Sequence, residues 1–139
     1  MDEGQNSMKY DEFKIKIVDD IAIVTVDLLV ATQRDAKPLW EELETTTILE
    51  WDKVIVDLSQ CTFIDSTFVG MLVRIFKVIK NNNGKMRLVF PENNMKLYFH
   101  TTGITRIVEC FDTLNEAIDS FSTKIPTRKI LFDQEFNRN

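Results

Sequence analysis

Val54-Ile55-Val56-Asp57-Leu58 is a nearly continuous apolar run. A strand with one wet face alternates apolar and polar side chains; a run that does not alternate suits a strand covered on both faces. Such strands lie in mostly parallel sheets, and parallel neighbours need long crossovers, usually helices. The rest of the chain supplies both parts. Phe13, Ile15 and Ile17 alternate with Lys14 and Lys16, and after Asp19-Asp20 comes Ile21-Ala22-Ile23-Val24-Thr25-Val26. This reads as a hairpin turning at the Asp pair.

Helical spacing follows in Ala36, Leu39, Trp40 and Leu43. Asp35 is placed as N-cap, with Pro38 in the first turn, and Thr45-Thr46-Thr47 ends the helix. Val69, Leu72, Val73, Phe76 and Ile79 make a second stripe, closed by Asn81-Asn82-Asn83-Gly84, where Gly84 is free to take positive φ. Met86 to Phe90 is a strand stopped by Pro91, and a shorter helix spans about 93–100. Gly103 marks the turn after it. Ile107 to Phe111 is the last strand. Asp112 or Thr113 caps the last helix, with Glu116 completing a capping box; Ala117, Ile118 and Phe121 are its buried face. The order β-β-α-β-α-β-α-β-α predicts an α/β fold, a mostly parallel sheet with an antiparallel edge strand and helices packed on it. Residues 1–12 form a polar lead, 13–123 the domain, and 124–139 a tail carrying Ile130, Leu131, Phe132 and Phe136. The tail can pack on the domain, pair with a second copy to form an oligomer, or stay disordered.

Composition narrows the function classes. A net charge of -5 provides no basic footprint for nucleic acid or an anionic membrane surface. No apolar stretch approaches the roughly 20 residues of a membrane span, and the first ten residues lack the apolar segment of a signal peptide, so a cytoplasmic protein is expected. Cys61 and Cys110 form no CxxC pair, and His100 is the one histidine, so a zinc ligand set is missing. Both cysteines read as small buried apolar residues. The four glycines, Gly4, Gly70, Gly84 and Gly103, form neither a Walker loop nor a GxGxxG fingerprint. A Ser-His-Asp triad would have to run through His100, without a nucleophile elbow, and His100 reads better as a helix C-terminal residue facing the dipole. No catalytic residue, cofactor or metal site is expected, and the chain reads as a binding protein rather than an enzyme.

The informative stretch runs from Val54 to Gly70. A buried strand ends, the chain crosses the sheet edge where functional residues gather in open α/β folds, and a helix starts near Ser66. Asp65-Ser66 alone reads as a helix cap. The longer pattern resembles the signature of the STAS-domain anti-sigma-factor antagonists, roughly Asp-x-Ser-x-Val-x-Phe-[Ile/Met]-Asp-Ser-[Ser/Thr]-Gly-Leu-Gly. Asp57, Ser59, Phe63, Ile64, Asp65, Ser66, Thr67 and Gly70 match it in register, and the order of elements agrees from about Phe13 to Phe121.

The resemblance implies a mechanism. Such antagonists are phosphorylated by a partner serine kinase that doubles as an anti-sigma factor; the unphosphorylated form captures that kinase, a sigma factor is released, and a phosphatase resets the switch. By resemblance, Ser66 is the phosphoacceptor, with Thr67 as the secondary candidate. Asp65, Ser66, Thr67 and Phe68 are the expected partner-contact residues. ATP and Mg²⁺ would belong to the kinase. Two departures matter. Phe68 stands where the family usually has Gly, and either tucks into the core or stands on the contact face. Val30 falls where the family commonly has an acid near the phosphoacceptor, with Asp27 a nearby substitute. These departures support an alternative within the same fold, a scaffold or peripheral subunit of a transporter or stressosome-type complex without a sigma switch.

Overall fold

The computed structural model describes residues 12–122. The tail 124–139, its expected oligomer contact and all but the last residue of the 1–12 lead lie outside the described residues. The chain forms β1 (Phe13–Val18), β2 (Ile21–Val26), β3 (Val30–Ala31), α1 (Gln33–Thr45), β4 (Lys53–Asp57), β5 (Phe63–Ile64), α2 (Ser66–Asn81), β6 (Lys85–Val89), α3 (Asn93–Thr101), β7 (Glu109–Phe111) and α4 (Leu114–Asp119). The expected order is present, with one addition, the short β3–β5 pair.

The main sheet has five strands in the order β1-β2-β4-β6-β7. β1 runs antiparallel to β2 through the Asp19-Asp20 turn, and the other neighbours are parallel. Asp19 takes a positive φ of 57° there, a conformation that Asp tolerates better than most residues. β4 lies at the centre, and Val54, Ile55 and Val56 are all fully buried. Their alternation assigns them to opposite faces. Val54 and Val56 join the large core with α1, α2 and α3, including Leu39, Leu72 and Phe99. Ile55 joins Ile21, Ile23, Val89 and Ala117 in the smaller core beneath α4. Arg87, in the strand next to β4, is accommodated by pairing with Glu109 at 3.1 Å and lying 4.0 Å from the centre of the Phe121 ring.

Several local expectations change. Thr32, not Asp35, caps α1, and Asp35 sits one turn in, where its carboxylate accepts the Thr32 backbone N–H at 2.9 Å. Pro38 therefore lies inside the helix, past the first turn, and removes one backbone hydrogen bond. The buried stripe of α2 is Phe68, Val69, Leu72, Ile75 and Ile79; Val73 and Phe76 are only partly covered. Positive φ at the end of α2 falls on Asn83, not Gly84. Gly84 is needed for close approach instead, since a Cβ there would lie 2.4 Å from the Trp51 carbonyl oxygen. The last strand is shorter than expected: Ile104–Arg106 forms a 3₁₀ turn, and Ile107 faces solvent. Thr113 caps α4, its hydroxyl accepting the Glu116 N–H at 3.1 Å.

Candidate functional site

β2 and β4 are parallel, so the segments that follow them leave the sheet at the same edge. There the two segments join. Val30 lies opposite Phe63 and Ala31 opposite Ile64 in the β3–β5 pair. The Leu29 carbonyl accepts the Thr62 N–H at 2.7 Å, the Phe63 N–H at 3.2 Å and the Thr62 hydroxyl at 2.9 Å. Asp65 donates its own N–H to the Ala31 carbonyl at 3.1 Å. These bonds bring the starts of α1 and α2 together.

The Asp65 side chain completes the junction. One carboxylate oxygen accepts the Phe68 N–H and the other the Gln33 N–H, each at 2.9 Å. Both are backbone donors in the first turn of a helix, where N–H groups lack intrahelical partners. A carboxylate there also meets the positive ends of two helix dipoles. Asp65 is thus engaged within the fold on both oxygens, more firmly than a plain contact residue would be.

Ser66 and Thr67, the first two residues of α2, are exposed. Phe68 is fully buried. Of its two open placements the structure takes the core, so Phe68 is corrected from the exposed contact set. It follows the exposed pair on the inward side of the same turn and anchors it. Ser66 also borders an open groove of about 450 Å³, where Gly70 and Val73 of α2 face Tyr98 and Thr101 of α3 and Thr102 just after it. Gly70 is exposed, and a Cβ added to it would meet nothing within 4 Å.

The remaining motif residues support the edge from beneath. Asp57 is buried and accepts the Ser59 N–H at 2.9 Å, shaping the turn out of β4. Cys61 is fully buried below it, and its thiol is pushed up to about 12 by burial first and then by Asp57, Asp35 and Asp27. Burial likewise pushes Cys110 up to about 12. Asp27 pairs with Lys14 at 3.0 Å, toward β1. At Val30 an exposed apolar side chain stands where the resemblance places an acid. His100 lies in the last turn of α3, its Nδ1 3.1 Å from the Thr105 hydroxyl. Among the described residues no group of three or more His, Cys, Asp or Glu could hold a metal, and no helix is long and apolar enough to cross a membrane.

Sequence reasoning singled out Ser66 and its neighbours, Phe63 as a motif match and Val30 as a departure, but not Gln33, whose backbone donates to Asp65, nor the exposure of Leu29, Val30 and Phe63. Only the two-residue β3–β5 pairing reveals these, and so short a pair leaves no periodic signal.

Comparison with known proteins agrees with this geometry. The STAS domain family model matches residues 12–117. A Thermotoga maritima protein described as an anti-sigma factor antagonist is 29% identical over 81% of this chain and 99% of its own. The anti-sigma-B factor antagonist of Listeria monocytogenes is 28% identical over 60% of this chain and 76% of its own. A crystal structure of an anti-sigma factor antagonist from Thermotoga maritima superposes with a TM-score of 0.69, over 81% of this chain and 96% of that one, at 29% identity. The Bacillus cell fate determinant SpoIIAA in its phosphorylated form has a TM-score of 0.59 at 17% identity, covering 79% of this chain and 99% of that one, a likeness of fold.

Proposed function

The chain belongs to the STAS domain family, and from that premise we propose that it is an anti-sigma-factor antagonist whose capture of an anti-sigma serine kinase is switched off by phosphate on Ser66. The observation that carries this is the split within one helical turn: Ser66 is exposed while Asp65 and Phe68, on either side of Ser66-Thr67, are tied into the fold. A phosphate at Ser66 adds about -1.5 to -2 charge units at pH 7 to a surface whose backbone is already held. The helix start tolerates an anion, and Asp65 next to it opposes one. The modification therefore changes what the surface binds more than how the chain folds. Asp65 is a positioning residue for the acceptor, Thr67 the secondary acceptor, and the reset belongs to a phosphatase.

The test is phosphorylation by purified serine kinases encoded alongside this chain, with ATP and Mg²⁺, followed by site mapping. One phosphate on Ser66, its loss in Ser66→Ala, and weaker kinase binding by Ser66→Asp are expected. Kinase binding unchanged by Ser66→Asp counts against the switch. Val30 in place of the acid favours the second reading, a scaffold or peripheral subunit in which Ser66 acts as a helix residue alone. Stable assembly with transporter or stressosome-type components, equal for the wild type and Ser66→Asp, would select it.

A further inference from the structure

Three large apolar side chains stand in solvent on the chain segments that frame Ser66. Leu29, Val30 and Phe63 are 67%, 50% and 48% exposed, while Ala31 and Ile64 beside them are fully buried. Successive side chains of a strand point to opposite faces, so the pairing of Val30 with Phe63 puts these two on one outward face. The backbone beneath is held by the three hydrogen bonds to the Leu29 carbonyl. Single exposed apolar residues are ordinary; here Val30 and Phe63 are cross-strand neighbours, and Leu29 adjoins them through its carbonyl's bonds to the Thr62 and Phe63 N–H groups. Phe63 precedes Ser66 by three residues, so their Cα atoms lie within about 11 Å of each other.

We infer that Leu29, Val30 and Phe63 form the specificity-determining ledge that the kinase partner covers when it docks over Ser66, and that the partner meets it with apolar rather than cationic side chains. The inference rests on the antagonist reading. Continuity chooses the occupant: a protein whose reactive groups reach the Ser66 hydroxyl covers its neighbours on the same surface. Charge chooses the chemistry. Two of the nearby carboxylates are engaged, Asp27 with Lys14 and Asp65 with two backbone amides. A cation placed over the ledge would lose water and meet only the face of the Phe63 ring, a weaker partner than a free carboxylate.

Phosphate on Ser66 acts on the same contact, since a charge at the rim of an apolar interface must be desolvated when the partner closes over it.

Calorimetric titration tests this with the kinase that phosphorylates Ser66, using the wild type, Val30→Asp, Phe63→Ser and Ile107→Ser. Ile107 is also exposed but lies near Lys85, at the opposite edge of the sheet. Val30→Asp and Phe63→Ser should each weaken binding about tenfold or more, as loss of an interface anchor does; Ile107→Ser should not change it. Thermal midpoints check that all variants fold. Unchanged affinity in both ledge variants overturns the ledge and leaves the antagonist reading intact. Tighter binding by Val30→Asp overturns the apolar assignment. A dimer of the wild type that Phe63→Ser dissociates assigns the ledge to a second copy and overturns the kinase as occupant. Failure of any such kinase to phosphorylate Ser66 overturns the antagonist reading and the ledge with it.

Discussion

Replacing Asp65 with alanine removes two backbone hydrogen bonds at once, at the starts of α1 and α2. Loss of an N-cap side chain costs about 0.5–2 kcal/mol. The Gln33 bond adds about 0.5–1.5 kcal/mol, toward the lower end because the site is only partly covered and water can replace the acceptor. The sum is about 2 kcal/mol. For a domain of this size that lowers the thermal midpoint by about 8 °C, at roughly 4 °C per kcal/mol. Asp65→Asn keeps one acceptor oxygen but turns an amide N–H₂ toward the other donor, so it should lose at least half as much. Ser66→Ala, at an exposed side chain, should stay within about 0.5 kcal/mol of the wild type. Urea denaturation of the four proteins, with the slope compared as well as the midpoint, measures this. If Asp65→Ala matched the wild type within about 0.5 kcal/mol, the helix starts would be held by other bonds, and Asp65 would be free to act as a surface contact.

Phe68→Ala should destabilise by about 3–5 kcal/mol in the same assay, because a fully buried ring is replaced by a cavity; a cost near zero would contradict its placement. Gly70→Ala should stabilise by about 0.5–1 kcal/mol, since the helix gains propensity and the added Cβ meets nothing within 4 Å. Weaker kinase binding by that more stable variant would show that the glycine leaves room for the partner. Cys61, fully buried, should not react with a thiol reagent at pH 8 until the chain unfolds, and Cys110, only partly buried, should react slowly, because both thiols are pushed up to about 12 and the thiolate is the reactive form; rapid native labelling of Cys61 would refute its burial. Asp20 is held below its ordinary value, first of all by its hydrogen bond from Lys53. Its contribution is therefore present above the unfolded-state pKa and fades as pH falls through the folded one. Asp20→Asn should flatten the acid limb of the stability profile in that window, and an unchanged limb would show the pair to be inert.

The element order was legible because each local pattern agreed with the next. Alternation in β1, the unbroken run of β4 and the helical stripes each reported which faces were covered, and burial of alternate faces is a property of short segments. Errors clustered where local preferences competed. Asp35 and Thr32 are both good caps, and only the reciprocal bond placed the helix start at Thr32. In the α2 stripe Val69, Leu72 and Ile79 were read correctly, while the half-covered Val73 and Phe76 were taken in place of Phe68 and Ile75. Ser66 and Asp65 were legible as a motif, with the motif's position after a central strand as support. That pattern said nothing of how Asp65 spends its oxygens, since Gln33 is distant in sequence.

The amino-acid order alone determined the α/β alternation, the central place of β4 and the helix start that presents Ser66, because these follow from backbone preferences and hydrophobic spacing over a few residues. Tertiary structure alone decided that Phe68 belongs to the core, that Asp65 joins two helices, and that Leu29, Val30 and Phe63 stand together in solvent. Each depends on the β3–β5 pairing or on how α2 seats against the sheet, and such contacts between distant segments leave no local pattern to read.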